Sequence, residues 1–365
     1  MKILYIGYFS EFNGRKLFCS PAANNVCTYV KDVLLRDNKN EIIVLNIARP
    51  KKHLSFFKNS CIKSGNCTFV NAPSYGSGRL LSFLFGWIFN KWIRKFISKN
   101  LSKYDCVIFY HSLNTLKLES FVATHFNSIL QLEEIYSSLF PKYAKCKSKE
   151  LATIEIFKKA IIPSDNFSFK RKTIFKTITL YGSYSSNEHV TNQLVQNSIV
   201  YAGTISESLG AHFACEVMKF LPDYKLHIYG YGTETEFELI KKKYQNFENI
   251  IINHEISQTE LEKILPNYVI GINPRPNDFC FDFSAFPSKI MVYLKSGLKI
   301  ISSPFKSLKE SPFSEFISYS KYDAASFARE IRKIEQQKNV KAIEFIKNKD
   351  AQFYDELFEL IEEEV

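Results

Sequence analysis

One lysine stands at an unusual place for a helix. The segment DFCFDFSAFPSKIMVYLKSGLKIISSP predicts a helix that begins at Ser288 and Lys289, directly after Pro287, and ends before Gly297. Free backbone amides and the positive end of the helix dipole attract an anion at such a start, whereas a cation in the first turn opposes the dipole. The pattern therefore predicts a diphosphate site at Pro287, Ser288 and Lys289. The alternative is a lysine that extends into solvent.

Glycines follow two neighbouring candidate strands in the second half of the chain. The run IVYAGTISESLG places Gly203 and Thr204 directly after one strand, and KLHIYGYG places Gly230, Tyr231 and Gly232 around the end of the next. Glycine lets the backbone come close to a phosphate or a nucleoside because it has no Cβ atom. Neither a complete GxGxxG fingerprint nor a GxxxxGK[ST] loop occurs, which argues against NAD, FAD and P-loop sites.

Polar side chains that can bind hydroxyl groups or move protons stand after predicted strands of the first half. They are His111, Glu133 and Glu134, together with Asn24 and Asn25 in SPAANN, where the first helix opens. Each has a structural alternative: a buried histidine with satisfied hydrogen bonds, carboxylates that cap a helix or face solvent, and an ordinary capped helix.

Short apolar runs alternate with helical patterns along the whole chain. The runs are rich in Ile, Val, Leu and Tyr, which is typical of strands covered on both faces. The order predicts an α/β fold with two parallel, doubly wound sheets. We expect strands at 2–8, 41–47, 105–110, 128–132, 160–163, 198–201, 225–229, 249–252, 268–272 and 298–302, and helices at 25–35, 79–98, 211–221, 234–244, 258–265, 288–295, 324–336 and 340–364.

The length of 365 residues is about twice that of a usual domain, so two domains are expected. The polar stretch 181–197 lacks apolar periodicity and is predicted to link residues 1–180 to residues 198–345. Residues 346–365 form a final helix, for which we consider packing back onto the first domain. Two such domains that face each other form a cleft, and open α/β sheets bind ligands beyond the carboxyl ends of their strands.

The charge balance indicates an anionic partner. The chain has 48 Lys and Arg against 37 Asp and Glu, a net charge of +11. Six of the basic residues and no acid lie at 79–103, interleaved with Trp87, Trp92 and four phenylalanines. This segment predicts a basic aromatic helix that packs on the core, lies on an anionic membrane surface, or does both along different parts. Because the basic residues cluster there and no nucleic-acid module is found, nucleic acid is not an expected partner.

The chain is expected to be cytoplasmic, with a peripheral position on the inner face of the cell membrane if the basic helix binds lipid. The first apolar run, KILYIGYF, reads as a buried strand and not as a signal peptide, since no small-residue cleavage site follows it. The longest apolar stretch, LLSFLFGWIF, is shorter than the roughly 20 helical residues that a membrane span needs. No CxxC pair suggests zinc or redox chemistry.

The motifs and their order resemble GT-B glycosyltransferases of the large retaining family (family 4-like) that builds bacterial polysaccharide and lipopolysaccharide. VYAGTIS, KLHIYGYG, FENIIINHEISQTELEKIL, VIGINPRP and FPSKIMVYLKSGLKIISS occur in that family's order, and SPAANNVCTYVKDVL, DCVIFYHS, SILQLEEIYSS and FKKAIIPSD match its first half. The resemblance implies the GT-B fold, in which two Rossmann-like domains face a central cleft. The first domain would bind the acceptor and the second the nucleotide sugar.

The resemblance also implies roles for single residues. The diphosphate would lie against Gly203 and Thr204 and against the helix start at Pro287, Ser288 and Lys289. The base would lie near Ile256, with the loop 230–232 close by. His111 matches a histidine that points at the donor sugar. Glu133 and Glu134 match an acidic position on the acceptor side, where Asn24 and Asn25 are also expected.

Departures from the family pattern change what is expected of the donor site. Ser284 and Val292 replace a pair of glutamates of which the second binds the ribose, and the arginine and lysine that follow the first glycine loop are missing. Lys289 is therefore expected to carry most of the diphosphate charge. Asp278 and Asp282 are the nearest carboxylates that can bind donor hydroxyls, so the expected catalytic set is Lys289, His111 and Asp282.

We therefore expect a hexosyltransferase-type enzyme that moves a sugar from a nucleoside-diphosphate donor to a growing, lipid-linked cell-surface glycan such as O-antigen or capsule. No cofactor is expected, and no metal, because no DxD-type cluster follows a strand. Two alternatives stay open. The missing glutamates favour a non-catalytic homologue that assists a transferase, and a GT-B-fold epimerase would change a nucleotide sugar without an acceptor.

Overall fold

The chain folds into two compact units, each built around its own sheet. The computed structural model describes residues 1–12, 15–50, 55–76, 79–99, 103–167, 176–185, 194–206, 209–230, 232–253, 256–276 and 285–363. Unit 1 consists of Met1–Ser183 together with Gln352–Val365, and unit 2 of Tyr184–Ala351. The last helix therefore begins in unit 2 and ends in unit 1.

Unit 1 contains an eight-stranded sheet and several short strands beside it. Its strands are β1 (Lys2–Gly7), β2 (Glu11–Phe12), β3 (Arg15–Phe18), β4 (Glu41–Asn46), β5 (Arg49–Pro50), β6 (Phe56–Phe57), β7 (Ser60–Ser64), β8 (Cys67–Asn71), β9 (Ser74–Tyr75), β10 (Cys106–Tyr110), β11 (Ser128–Gln131), β12 (Lys159–Ile162) and β13 (Lys176–Thr179). The sheet order is β13-β12-β11-β10-β1-β4-β8-β7, and β7 pairs antiparallel with β8 while the other neighbours pair in parallel.

Unit 2 contains a six-stranded parallel sheet. Its strands are β14 (Ser198–Ala202), β15 (Lys225–Tyr229), β16 (Ile250–Ile252), β17 (Ile270–Asn273), β18 (Lys299–Ser302) and β19 (Ile317–Tyr319). The sheet order is β16-β15-β14-β17-β18-β19, which is the 3-2-1-4-5-6 order of dinucleotide-binding sheets. The order reverses between β14 and β17, so the connections leave to opposite sides there and open a crevice beyond the carboxyl ends of these two strands.

Helices cover the sheets through apolar faces. The helices are α1 (Pro21–Leu34), α2 (Arg79–Ser98), α3 (Leu116–His125), α4 (Tyr136–Leu139), α5 (Lys147–Ile154), α6 (Ala211–Met218), α7 (Glu234–Tyr244), α8 (Gln258–Ile264), α9 (Ser288–Lys295), α10 (Lys306–Lys309), α11 (Ala324–Ile331) and α12 (Val340–Glu362). In unit 2, Val217 of α6, Ile240 of α7 and Phe327 of α11 are fully buried in one core with the strands. Within the described part of the chain, no helix has the length and apolar character needed to cross a membrane.

The ten predicted strands and eight predicted helices are present, with ends that differ by a few residues, most at α1, α6 and α11. The sequence did not predict α3 and α5. Their apolar pattern is weak because each buries a glutamate, Glu119 and Glu150, where an apolar residue would mark the inner face. The hairpin of β7 and β8 was also missed, since its outer strand is largely exposed and polar.

The end of α12 is held by unit 1. The side-chain amide of Asn127 donates to the carbonyl of Ile361 at 3.2 Å, and the ammonium of Lys159 donates to the carbonyl of Glu363. Lys176 forms a 2.8 Å ion pair with the Glu363 carboxylate. The carbonyls at a helix end carry negative partial charge, so lysine and amide donors are suitable partners for them.

Candidate functional site

A buried tyrosine separates the strands at the reversal point of the unit 2 sheet. β14 and β17 pair at Ile199 and Val200, but beyond this the Ala202 N–H donates to the hydroxyl of Tyr293 at 2.8 Å. The same hydroxyl is 3.4 Å from the carbonyl of Ile272, to which it donates. Tyr293 of α9 thus replaces the next strand-to-strand hydrogen bond, and it fixes α9 at the point where the two strands part.

Lys289 lies one turn before Tyr293 and therefore on the same face of α9. Its side chain is only 8% exposed, and its Nζ atom is 4.0 Å from the centre of the Tyr201 ring. The Nζ atom is also 3.3 Å from the position that a Cβ of Gly203 would occupy. The alternative of a lysine that extends into solvent is wrong: the helix directs this amine inward, next to the loop that follows β14.

The Lys289 amine has no hydrogen-bond acceptor or ion-pair partner among the described residues. Burial, and then the positive charge of Arg275, lower the pKa of Lys289 well below its usual value. A buried donor without a partner costs about 1–3 kcal/mol of folding free energy. A site that keeps such a group is a candidate for binding a ligand that supplies the missing acceptor.

Two helices begin at the same edge of the unit 2 sheet. Pro287 is the N-cap residue of α9 and Gly210 that of α6, and neither has a side chain that caps the free N–H groups. Gly210 adopts a left-handed conformation with φ of +88°, and a Cβ there would lie 1.9 Å from the Pro274 carbonyl, in the segment after β17. Both helix starts therefore lie beside the reversal point, where their amides can bind an anion.

The glycines after β14 and β15 serve mainly to bring two loops together. A Cβ on Gly230 would lie 1.9 Å from the carbonyl oxygen of Gly203, and one on Gly232 would lie 3.1 Å from the carbonyl oxygen of Ile205. The two loops thus pack backbone against backbone. The Tyr201 hydroxyl adds to this by donating to the carbonyls of Thr204 at 2.8 Å and Leu209 at 3.0 Å.

We expect Gly230→Ala to destabilise the protein by about 1–3 kcal/mol, because the new methyl group must push the Gly203 loop away. Gly65→Ala is the control: no atom lies within 4 Å of its Cβ position, so this variant bears only the backbone strain of its positive φ, +56°, which Gly230 does not have. Urea unfolding of the two variants measures the difference. Equal losses of stability would show that the packing of the two loops is not the reason for the glycine.

In unit 1, His111 lies in a closed network of buried charges. Its Nδ1 is 2.7 Å from the Glu119 carboxylate, its Nε2 is 3.0 Å from the Glu150 carboxylate, and its side chain is 1% exposed. Burial alone would lower the pKa of His111, but the charges and hydrogen bonds of the two glutamates outweigh it and raise the pKa to about 9. Both ring nitrogens are therefore donors at neutral pH.

The glutamates of this network are held in turn by the backbone. Glu119 also accepts from the Ser112 N–H at 3.0 Å and the Thr115 hydroxyl at 2.7 Å, and Glu150 from the N–H groups of Tyr136 at 2.8 Å and Ser137 at 2.9 Å. The network ties α3, α4 and α5 to the end of β10. This geometry favours the structural alternative for His111 over a role at the donor sugar.

Glu133 and Glu134 follow β11 and are partly exposed. Burial, and then the charge of Glu134, raise the pKa of Glu133 to about 8, so that at neutral pH Glu133 is mainly a neutral acid. Among the asparagines of α1, Asn24 accepts from the Ser10 N–H through its side chain at 2.8 Å, which ties the helix start to the loop after β1. Asn25 is partly buried in the first turn.

The structure thus brings together part of the predicted donor set. Seven of the predicted residues belong to the carboxyl edge of the sheet described above: Gly203, Thr204, Gly230, Gly232, Pro287, Ser288 and Lys289. Ile256 lies farther away, because it follows β16, the outermost strand, and β15 lies between β16 and β14. Asp282 and Tyr231, like Asp278 and Ser284, lie outside the described residues. Sequence reasoning missed Tyr201, Tyr293 and Arg275, whose roles depend on neighbours far away in the chain.

No protein-family model and no curated protein sequence matches the chain. Solved structures do resemble it over its whole length. Sucrose-phosphate synthase from Thermosynechococcus elongatus has a TM-score of 0.69 at 13% identity, with 98% of this chain and 99% of that chain covered. The E. coli trehalose-6-phosphate protein bound with UDP-2-fluoro glucose has a TM-score of 0.68 at 10% identity, with 100% of both chains covered.

A third similar structure is WaaG, a glycosyltransferase involved in lipopolysaccharide biosynthesis, with a TM-score of 0.56 at 11% identity over 97% of this chain and 95% of that one. At these identities the likeness shows the fold. Together with the two mainly parallel sheets of eight and six strands, it confirms the expected α/β fold class: the chain has the fold of GT-B glycosyltransferases.

Proposed function

We propose that the protein is a nucleotide-sugar-dependent glycosyltransferase whose donor diphosphate binds at the carboxyl edge of the unit 2 sheet. The observation that carries the proposal is Lys289: a buried amine without an acceptor among the described residues, beside the Gly203 loop and in the first turn of α9. The similar E. coli structure holds UDP-2-fluoro glucose, which supports a nucleotide sugar as the ligand.

The chemistry of transfer needs positive charge at this place. When the bond between the sugar and the diphosphate breaks, negative charge develops on the leaving phosphate oxygens. The Lys289 ammonium and the free N–H groups at the starts of α6 and α9 would stabilise that charge, and they are fixed before the reaction begins. The proposal therefore uses protein groups, without a bound metal, for leaving-group stabilisation.

For the acceptor we propose the carboxyl edge of the unit 1 sheet. Glu133 and Glu134 are partly exposed there, and the mainly neutral Glu133 can donate a hydrogen bond to a sugar oxygen as well as accept one. Asn24 and Asn25 lie at the start of α1 beside the loop after β1. A growing glycan is the proposed acceptor, and the involvement of WaaG, a protein of similar fold, in lipopolysaccharide biosynthesis supports a cell-surface glycan. The retaining, family 4-like type is proposed from the sequence motifs.

Thermal unfolding in the presence of UDP-, GDP-, dTDP- and CMP-linked sugars tests the proposal. A nucleotide sugar at 100 times its dissociation constant is expected to stabilise the folded protein by about 2.7 kcal/mol. Stabilisation by one nucleotide class identifies the donor. The appearance of the donor's sugar on an acceptor glycan, together with release of the nucleotide, then shows transfer. Binding without any turnover would favour the non-catalytic homologue, a changed sugar without acceptor would favour the epimerase, and the lack of any response would contradict a nucleotide-sugar site.

We also propose that α2 binds an anionic membrane surface. Its inner face is packed on the unit 1 core by Phe89, Ile93 and Ile97, whereas Trp87 is 68% and Ile88 52% exposed. Next to them stand exposed cations, and Lys91 lies 4.9 Å from the centre of the Trp87 ring. The other exposed cations of this helix and its end are Arg94, Lys95 and Lys99. A packed inner face with an aromatic, basic outer face suits a helix that lies in the lipid headgroup layer.

Flotation with vesicles that contain phosphatidylglycerol measures this binding. We expect the double variant Trp87→Ala, Ile88→Ala to bind about tenfold or more weakly, since two apolar side chains are lost from the lipid contact. Leu239→Ala is the control: Leu239 is 56% exposed on α7 of unit 2, where three lysines, at 241–243, are balanced by Glu234, Glu236 and Glu238, so its surroundings carry no net positive charge. Wild-type binding that is absent, or insensitive to salt, would contradict the proposal.

A further inference from the structure

A short segment of unit 1 carries a dense positive charge that the proposed donor site does not use. Residues 140–149 read FPKYAKCKSK, with four lysines and no acid. They include the 3₁₀ helix Pro141–Cys146 and the first turn of α5. All four lysines are exposed, and none of them has an ion-pair partner within the described part of the chain. A patch of one sign that no neighbouring charge balances attracts anions.

The helical backbone arranges three of these lysines in order. Residues three apart in a 3₁₀ helix lie above one another, so Lys142 and Lys145 share one side of Pro141–Cys146. Lys149 follows about one helical turn later, in α5. We call these three residues the lysine row. Their amines follow one another along the segment, which suits a ligand with several negative charges.

Three aromatic rings connect the lysine row to the proposed acceptor edge. The centre of the Tyr136 ring is 6.4 Å from that of Phe140, with 22° between the ring planes, and the Phe140 ring meets Tyr143 edge-on at 6.1 Å. The Nζ atom of Lys142 lies 4.8 Å from the centre of the Tyr143 ring. We call these three rings the aromatic strip. It starts two residues after Glu134, at the acceptor edge, and ends beside a lysine.

The buried network of His111 fixes the start of the strip. The Glu150 carboxylate accepts from the Tyr136 N–H at 2.8 Å and is 3.0 Å from the His111 imidazole. The His111 ring in turn lies 5.8 Å from the Tyr136 ring. Since Glu150 belongs to α5 and Tyr136 to α4, the same carboxylate holds the aromatic strip against the helix that carries Lys149. A surface fixed in this way loses little conformational freedom when a ligand binds.

We propose that the aromatic strip and the lysine row bind the acceptor glycan, and that this glycan carries acidic groups. Sugar rings would lie on the strip, because the face of an aromatic ring carries partial negative charge and attracts the C–H groups of a sugar. The lysines would pair with carboxylate or phosphate groups on the glycan. This inference rests on the proposed function and names the chemical class of its acceptor.

The exposure of the apolar side chains favours a glycan over a lipid surface. Phe140 is 36% exposed, and Tyr136 and Tyr143 are partly exposed, whereas on α2 Trp87 is 68% exposed. Rings that lie largely within the protein surface offer a face to a flat ligand but reach little way into the lipid headgroup layer. The contiguity of the strip with the acceptor edge points to the same ligand.

Calorimetric titration of acidic oligosaccharides into the full-length protein tests the inference. Oligogalacturonate supplies carboxylates, and phosphorylated maltodextrin supplies phosphates. Their neutral counterparts, methyl-esterified oligogalacturonate and unmodified maltodextrin, keep the sugar rings without the charge. We expect at least one acidic oligomer to bind about tenfold or more tightly than its neutral counterpart, and more weakly as salt is added. The acidic oligomer that binds identifies the acidic group, and equal binding of acidic and neutral oligomers would overturn the inference.

A triple lysine variant locates the charge. Replacing the lysine row with glutamine (Lys142→Gln, Lys145→Gln, Lys149→Gln) is expected to weaken binding of the acidic oligomer about tenfold or more, since three ion pairs are lost. The matched control removes the same charge from exposed lysines of unit 2: Lys225→Gln, Lys242→Gln, Lys263→Gln. Equal losses in the two triple variants would show that only the net charge of the protein matters, and would overturn the inference.

Variants of Phe140 test the contact with the sugar rings. Phe140→Ala is expected to bind the acidic oligosaccharide about 3- to 10-fold more weakly, and Phe140→Tyr, which keeps a ring, should bind it as the wild type does. Polyphosphate has charge but no sugar ring, so its binding should not change in Phe140→Ala. An unchanged affinity of Phe140→Ala for the oligosaccharide, or an equal loss for polyphosphate, would contradict a glycan site.

Two further readouts separate the possible failures. If phosphatidylglycerol vesicles bound through the lysine row while no acidic oligosaccharide did, the patch would be a membrane contact and the inference would be wrong. The titrations contain no nucleotide. Stabilisation by a nucleotide sugar without binding of any acidic glycan would therefore overturn this inference alone, whereas glycan binding without any nucleotide response would contradict the proposed function.

Discussion

Lys289→Met is expected to stabilise the free protein while it abolishes stabilisation by nucleotide. The Lys289 amine is buried without an acceptor among the described residues, and Arg275 opposes its charge. Replacing it with a thioether of similar length removes a cost of about 1–3 kcal/mol. The sulfur would lie near the Tyr201 ring, a favourable contact for methionine. Thermal unfolding with and without the stabilising nucleotide measures both effects in one experiment.

The same helix offers a matched control. Lys295 is also buried in α9, but its ammonium forms a 2.7 Å ion pair with Glu262. Lys295→Met should therefore lower the stability of the free protein, since it removes a paired charge, and should leave the shift caused by nucleotide intact. If Lys289→Met and Lys295→Met changed stability in the same direction, the view that Lys289 is kept for a ligand would have to be given up.

His111→Ala is expected to cost about 3–5 kcal/mol of unfolding free energy, because it leaves two buried carboxylates without their shared cation. Both glutamate side chains are fully buried, so water cannot replace the imidazolium. His125→Ala is the control: this histidine is exposed on α3, and such surface changes usually alter stability by about 0.5 kcal/mol or less. Urea unfolding at neutral pH measures the two losses.

The network also predicts a dependence on pH. The pKa of His111 is raised to about 9 in the folded protein, from an ordinary value of 6.5. The stabilisation is therefore complete below pH 6.5 and is lost as the pH rises through about 9, a change on the order of 3 kcal/mol. This alkaline loss should be present in the wild type and in His125→Ala and reduced in His111→Ala. An equal loss in all three would show that His111 is not the titrating group.

Continuous apolar runs and glycine positions in the sequence determined the fold class and most elements. Runs such as KILYIG and CVIFY are short and rich in β-branched and aromatic residues, which is typical of strands buried on both faces, and their alternation with helical patterns predicts parallel sheets. The start of the helix at Ser288 could also be predicted from the sequence, because its signals, Pro287 and the apolar spacing that follows, are adjacent in the chain. Signals of this kind come from residues that are neighbours in the chain, so they can be recognised before the tertiary structure is known.

Tertiary structure alone decided what surrounds each reactive group. The sequence around His111 is the same whether the side chain faces a ligand or two carboxylates. Those carboxylates belong to α3 and α5, where a buried glutamate occupies a position at which the helical pattern predicts an apolar residue. Lys289 became a buried amine only because Tyr293 fixes α9 where β14 and β17 part. The charge state, burial and partners of a side chain depend on residues that are distant in the sequence, and only folding brings these residues together.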